Sequence, residues 1–359
     1  MTTDAADLAD RLARLTDAWC RVPSPTGQEQ ALADLIEAEA RTAGLAVARH
    51  RDCLVLRSAG ATGPADLMLV GHLDTVPCAS DQPEGIREGR VYGCGTSDMK
   101  GALAVIFDRL CRPSRLGLTA LFYDREEGPY ADNGLAMLRQ QGRLPEARTA
   151  LVMEPTDNAI EAGCLGNLHA TLTLQGQRAH SARPWQGKNA LHAAWPLLEA
   201  LSRLAPEERL IEGLAYRRVL SATTATTANG RNVVPDAFRL NLNFRFTPDE
   251  TLEQAEGWLR DWLAGIGLVV PWTLDVTDRA PAGAICLDAP HLGPWRARHG
   301  LEVQPKQAWT DVAQLTAAGI PAVNFGPGEP AQAHQARESI PIANLVKAWE
   351  LLDDLVGQP

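Results

Sequence analysis

Lysine is almost missing from this 359-residue chain: it occurs only at positions 100, 188, 306 and 347, and arginine carries nearly all the positive charge. There is no run of basic residues. With 44 acidic against 34 basic side chains, the formal net charge is −10 and the pI is about 5.3. That balance lacks the electrostatic footprint of a nucleic-acid-binding protein. Equally absent is any apolar run near the roughly 20 residues that span a bilayer, so no membrane partner is expected. The opening stretch MTTDAADLADRLARL has neither the basic nor the apolar region of a signal peptide, and a cytoplasmic location is expected. The cysteines, at 20, 53, 78, 94, 111, 164 and 286, are odd in number and form no CxxC. They suggest small buried thiols in a reducing compartment rather than a disulfide framework or zinc ribbon. A thiol nucleophile at Cys78 or Cys94 is the minor alternative. No GxxxxGK[ST] loop exists, and Ser97 lies in no GxSxG elbow. Gly93-x-Gly95-x-x-Asp98 resembles a dinucleotide fingerprint, but an acid replaces its third glycine and would repel a pyrophosphate.

What is present starts with LMLVGHLDTVP. Leu67–Val70 suit a core strand of a parallel sheet, and Pro77 stops regular pairing. His72-x-Asp74 therefore falls at the carboxyl end of a strand, the edge where open α/β sheets bind ligands. Two N-terminal helices are expected, the second after a Thr26-x-x-Glu29 capping box and ending at Gly44. Further strand candidates, LTALFYD and TALVMEP, alternate with the helical MKGALAVIFDRL and NGLAMLRQQ, which implies a mostly parallel α/β sheet. Near residue 166 the pattern changes. NLHATLTLQGQ alternates like a half-exposed antiparallel strand, and a helix interrupted by Pro196, two more strand candidates and the helix TLEQAEGWLRDWLAGIG follow. Core-type strand character resumes at IPAVNFGPG, before a closing helix. The expected organisation is a discontinuous domain, 1–166 with 279–359, and an inserted α+β domain over 167–278.

Four more polar sites end apolar runs: Asp98 after a glycine-rich turn, Glu126 and Glu127 after LTALFYD, Glu154 after TALVM, and His334 after PAVNF. Two histidines with three or four carboxylates suit Zn²⁺, Mn²⁺ or Co²⁺, and two ions more readily than one. Without cations, so many acids in one cleft could not all ionise. His180 stands in a Gly/Pro-punctuated loop of the inserted domain. His50, His169, His192, His291 and His299 have no acid at ligand spacing and are read as structural or exposed.

The stretches GHLDTVP, GCGTSDMKGALAV, EEG, MEPT, GQRAHSARPWQGKNA and a late AH resemble the M20 zinc aminopeptidase/deacylase family along nearly the whole chain. Within it, EPTDNAIEAGCLGNL, NVVPDAFRLNLNFRF, AWTDVAQLTAAGIPAVNFGPG and AHQARESIPI look most like the succinyl-diaminopimelate desuccinylases of actinobacterial type. The resemblance implies a mixed, mostly parallel sheet with helices on both faces, zinc-peptidase-like, and an inserted dimerisation and lid domain. It implies one Zn²⁺ on His72, Asp98 and Glu154, and a second on Asp98, Glu127 and His334, with Co²⁺ or Mn²⁺ able to substitute. Asp74 would orient His72, the peptide after Asp98 would be cis, and Glu126 would be the general base. His180 would reach across a homodimer to the oxyanion of the neighbouring site, and Arg245 and Asn232 would contact substrate carboxylates. The implied reaction converts N-succinyl-LL-2,6-diaminopimelate to succinate and LL-2,6-diaminopimelate. Acetylornithine deacetylase or another M20 deacylase is the alternative, and a non-catalytic scaffold on this fold is an alternative of a different class. Trp309 departs from the small residues that Gram-negative desuccinylases usually show there.

Overall fold

The computed structural model describes residues 3–58 and 60–357. Two compact units emerge. The first holds the described residues up to Gly163, Ala284–Lys306 and those from Thr310 on; the second holds Cys164–Gly283 with Gln307–Trp309.

The first unit is a mixed α/β structure. Its eight-stranded sheet runs in the order Ala46–His50, Cys53–Arg57, Leu118–Tyr123, Leu67–His72, Ala150–Val152, Ala322–Asn324, Ile160–Ala162, Val303–Pro305. The middle of this sheet is parallel, as expected, with Leu67–His72 between Leu118–Tyr123 and Ala150–Val152. Antiparallel pairing is confined to the first three strands and to a single contact between Asn324 and Glu161. Both central strands are buried at every position, which is why they read as continuous apolar runs.

Helix Gly101–Leu110 lies on these two strands and is buried along its whole length, with helices Thr3–Cys20 and Ile342–Val356 packed on it. Leu103, Val105, Ile106 and Leu110 each contribute on the order of 1.5–3 kcal/mol by leaving water. The contact leaves little room at Gly71: a Cβ there would stand 2.6 Å from Leu103 Cδ2 and 2.8 Å from Met99 Cε, so those side chains would have to shift. At the head of this helix the chain from Thr96 to Lys100 is irregular, with a cis Asp98–Met99 peptide.

The second unit carries a five-stranded antiparallel sheet, Glu207–Ile211, Leu214–Thr226, Ala237–Phe246, Gly166–Gln175, Trp272–Ala280, with its own apolar core. Pro196 falls in the first turn of helix Trp195–Arg203, where its missing N–H costs nothing.

Two local expectations are corrected. Helix Gln30–Thr42 begins without a side-chain cap, because Thr26 donates its hydroxyl to Asp74 (2.9 Å) and Glu29 Oε1 accepts from Gly27 N–H (2.7 Å). A capping box forms instead at Thr251 and Gln254. Nor are the cysteines all buried thiols. Cys78 and Cys94 are joined in a disulfide, and of the other five only Cys53 and Cys164 are buried. That pairing also removes a thiol nucleophile at either position. No described helix is long and apolar enough to cross a membrane.

Candidate metal centre and acid–base site

The carboxyl ends of the central strands bring the acids and imidazoles together. His72 is the last residue of its strand and is buried. Its Nδ1 lies 2.9 Å from the Asp74 carbonyl, which can only accept, so Nδ1 carries a proton and Nε2 faces Asp98 Oδ1 at 3.1 Å. Burial alone would lower the His72 pKa, but the Asp98 hydrogen bond and the charges of Glu126, Asp98 and Asp74 raise it well above its ordinary value. His334 stands on the far side of Asp98. Its Nε2 is 2.8 Å from Glu127 Oε1 and 3.5 Å from Asp98 Oδ2. The hydrogen bond to Glu127 is the largest influence raising His334 to about 9. Asp98 thus presents one oxygen to each imidazole.

Glu154 follows the strand Ala150–Val152. Its Oε1 is buried without a hydrogen-bond partner among the described residues, and burial, then Asp98, raises its pKa to about 7. Donor atoms of His72, Asp98 and Glu154 lie within 4.8 Å of one another, as do those of Asp98, Glu127 and His334 and those of His72, Glu126 and Glu127. Ligands at ~2.0–2.2 Å from a tetrahedral Zn²⁺ stand roughly 3–4 Å apart, so the first two sets fit such an ion. The two Nε2 atoms, each facing carboxylate oxygens, mark positions that a divalent cation would take. An unpartnered buried oxygen on Glu154 is what a ligand set, rather than a hydrogen-bond network, would leave.

Glu126 and Glu127 are delivered by a turn in which Arg125 has φ 60, uncommon for a residue with a Cβ. The buried Asp74 carboxylate fixes that turn: Oδ1 accepts from Glu126 N–H (2.9 Å) and Oδ2 from Glu127 N–H (3.0 Å). It stands 3.6 Å from His72 Nδ1, so its backbone carbonyl, not its carboxylate, orients the imidazole. Asp74 thus orients His72 through its carbonyl and, in addition, holds the EE pair through its carboxylate. Deep placement among protein atoms, then the neighbouring Glu154 and Glu127, push the Glu126 pKa well above the usual carboxylate range, with His72 opposing them. A further acidic group, Glu29–Asp52–Asp124, already has a cation: Arg51 pairs with both Asp124 oxygens.

Residues 68–358 match the peptidase family M20/M25/M40. The chain belongs to this family. It is 37% identical to a succinyl-diaminopimelate desuccinylase of Corynebacterium glutamicum over 96% of this chain and 95% of that one. The fold is that of a tripeptidase from Staphylococcus aureus (TM-score 0.80, 19% identity, 97% of each chain). It is also that of a dinuclear metal-binding M20 peptidase from Bacillus subtilis (TM-score 0.73, 14% identity, 98% of each chain).

Three residues of this M20 chain that the sequence did not single out surround the centre. Glu338 is buried and accepts from the N–H groups of Gly95 (2.7 Å), Ser97 (2.7 Å) and Asp98 (2.9 Å), clamping the Asp98 turn to the segment that carries His334. Lys306 pairs with Glu161 at 2.6 Å and lends positive potential to Glu154 and Asp98. Asp311 accepts from Tyr123 (2.5 Å), Asn133 (3.1 Å) and Gln314 (2.5 Å), and the Tyr123 ring stands edge-on to His72. The one available signal was the rarity of lysine.

Within the second unit, His180 is exposed on a two-residue strand paired with Val233–Val234, and its Nδ1 accepts from Ala182 N–H (3.1 Å). Asn232 is exposed, and its carbonyl accepts from Ser181 N–H (2.9 Å). Arg245 is half-buried, its Nε donates to Asn243 (3.0 Å), and burial lowers its pKa. The indole of Trp309 donates to the Pro281 carbonyl (3.1 Å). Among the histidines set aside, His299 does have an acid, Asp354 at 2.9 Å, contributed by a distant helix.

The crowded acids set a pH dependence. Glu154 and Glu338 rise from 4.5 to about 7, chiefly by burial, and His334 rises from 6.5 to about 9. A carboxyl raised on folding stabilises the protonated fold and loses that contribution as pH climbs from 4.5 through about 7. A raised imidazole contributes fully below 6.5 and loses it as pH climbs through about 9. Both act in one direction, so chelator-treated protein should lose ~5 °C or more of Tm between about pH 5 and pH 9. Zn²⁺ added at pH 8 should restore it, since the ion replaces the protons. Scanning calorimetry across that range checks both, and a flat profile after chelation would contradict the picture of acids crowded without a counter-charge.

Proposed function

We propose that this M20 chain is a two-metal amidohydrolase that converts N-succinyl-LL-2,6-diaminopimelate to succinate and LL-2,6-diaminopimelate. The observation that carries the chemistry is Asp98, one carboxylate between two imidazoles, with Glu126 grouped with His72 and Glu127. The substrate choice rests on the 37% identical relative from Corynebacterium glutamicum. His72, Asp98 and Glu154 would hold one ion, and Asp98, Glu127 and His334 a second. Zn²⁺ is the expected metal, with Co²⁺ or Mn²⁺ as substitutes. When bound, the ions polarise the scissile carbonyl and acidify the attacking water.

Glu126 takes the proton from that water and passes it to the departing nitrogen. Its pKa, raised chiefly by burial, favours a carboxyl that holds the proton between the two steps. Asp74 holds the base in place through the Glu126 and Glu127 N–H groups.

The second unit acts as lid and dimerisation domain in this proposal. Two features of the unit support a second copy as its partner. Strand Leu214–Thr226 runs past Glu207–Ile211, which pairs only with 214–218, so Ser221–Thr226 has one open edge. Trp185 and Trp195 of the same unit are 77% and 64% exposed, unusual for side chains this large. His180 would stabilise the oxyanion in the partner's site. Arg245 and Asn232 would pair with substrate carboxylates, a task a guanidinium fork suits. A cytoplasmic location belongs to the same proposal.

Metal analysis with steady-state kinetics tests the assignment. About two transition-metal equivalents per chain are expected, and kcat/KM for the succinyl substrate should exceed that for N-acetylornithine by ~10²-fold or more. Preference for N-acetylornithine would favour the deacetylase alternative. Full metal with no hydrolysis of any N-acyl amino acid would favour a scaffold.

A further inference from the structure

The disulfide joins two loops that each carry part of the metal centre. Cys78 belongs to the loop that leaves the strand ending in His72 and passes Asp74, and Cys94 to the turn that leads through Gly95 to Asp98. Their Cα atoms are 5.8 Å apart. The loops also press on each other directly: Gly95 has φ 79, and a Cβ there would meet Thr75 Cγ2 at 2.7 Å. A cavity of about 160 Å³ beside the pair is lined by Cys78, Cys94, His334 and Glu338, so the bond borders both a ligand and the clamp on the Asp98 turn. Cys78 is exposed and Cys94 half-exposed, which makes the bond reachable by small thiols. Exposed disulfides are the labile ones, and in reducing compartments they are mostly transient and redox-sensing.

We propose that Cys78 and Cys94 form a thiol-responsive tether that sets how firmly the metal centre retains its ions. The proposal rests on the metal-centre assignment above. Closed, the bond holds the loop after His72 against the turn before Asp98; open, it lets the two ligand-bearing segments separate. Opening begins when a small-molecule thiolate attacks the exposed Cys78 sulfur. The Cys78–Cys94 bond breaks and Cys94 leaves as a thiolate that takes up a proton. A second small-molecule thiolate attacks the mixed disulfide, releasing Cys78, which is protonated in turn. Two electrons pass from the small thiols to the cysteine pair, leaving a small-molecule disulfide. Closing is the reverse, with a small-molecule disulfide as the oxidant.

The test uses full-length metal-loaded protein, equilibrated with oxidised or reduced glutathione and freed of it by gel filtration. Thiol titration under denaturing conditions should count five thiols in the oxidised form and seven after reduction, given seven cysteines and one bond. Release of metal to excess EDTA, followed with a chromophoric indicator, should be roughly tenfold or more faster in the reduced form, the scale at which supporting contacts tune metal retention. Cys78→Ser and, independently, Cys94→Ser should release metal at the fast rate in either buffer, while Cys111→Ser keeps the full redox response. Far-UV circular dichroism and the starting metal content show that each variant is folded and loaded. Seven thiols persisting in oxidised glutathione, or equal release rates from five-thiol and seven-thiol protein, overturn the tether and leave the metal centre standing. Oxidised protein that binds no transition metal overturns the centre, and the tether with it.

Discussion

Glu126→Gln should keep the fold and the metal content and lower kcat by ~10²–10⁴-fold or more. The substitution is nearly isosteric and leaves the backbone N–H of residue 126 on Asp74, so the turn is undisturbed. What disappears is the ability to accept a proton. Burial and the neighbouring Glu154 and Glu127 raise the Glu126 pKa, which makes it a stronger proton acceptor than an ordinary carboxylate. Because Glu126 is not among the proposed ligands, metal analysis should match wild type while turnover of the N-succinyl substrate collapses. Near-normal kcat with two metals bound would mean that another group moves the proton.

A mixture of Glu126→Gln and His180→Ala chains, each inactive alone, should regain roughly a quarter of wild-type activity. In the proposed dimer, one site of a mixed pair would draw Glu126 from the His180→Ala chain and His180 from the Glu126→Gln chain, and so would be fully wild type. The other site carries both defects. Random exchange makes about half the dimers mixed, and each has one working site of two. The size of the effect assumes that one oxyanion donor is worth ~10²–10³-fold. His180 suits a role outside its own unit: it is exposed, and among the described residues the one hydrogen bond of its imidazole is that which Nδ1 accepts from Ala182 N–H. A pull-down of differently tagged chains establishes exchange. Exchange without recovery would place His180 in its own chain's site or in none.

Much of the first unit could be read from sequence because its central strands are buried on both faces. LMLVGH and LTALFY stop being apolar where the sheet stops, and the residues the fold gathers there, His72, Glu126, Glu127 and Glu154, lie at or shortly after the ends of such strands. The mostly parallel sheet followed from the same pattern. What stayed hidden depends on three-dimensional neighbours. Thr26 looked like a cap because Glu29 follows at capping distance, yet a buried carboxylate, Asp74, competes for its hydroxyl. The family resemblance implied that Asp74 orients His72, but nothing in the sequence showed that its carboxylate would also face the N–H groups of a turn from another strand. Glu338 acts on backbone amides, which carry no residue signature. Cys78 and Cys94 share no short motif, and only the folding back of two loops pairs them.

The anchoring of Glu126 and Glu127 on a single carboxylate has an evolutionary consequence. One peptide bond separates the group proposed to move protons from the group proposed to hold an ion, and both hang on Asp74. Any substitution that slackens this anchor perturbs ion affinity and proton transfer together. The lineage therefore has little freedom to tune one against the other at this turn. Adaptation to a new acyl group would then fall to positions such as Arg245 and Asn232, proposed to meet the substrate, rather than to the anchored turn.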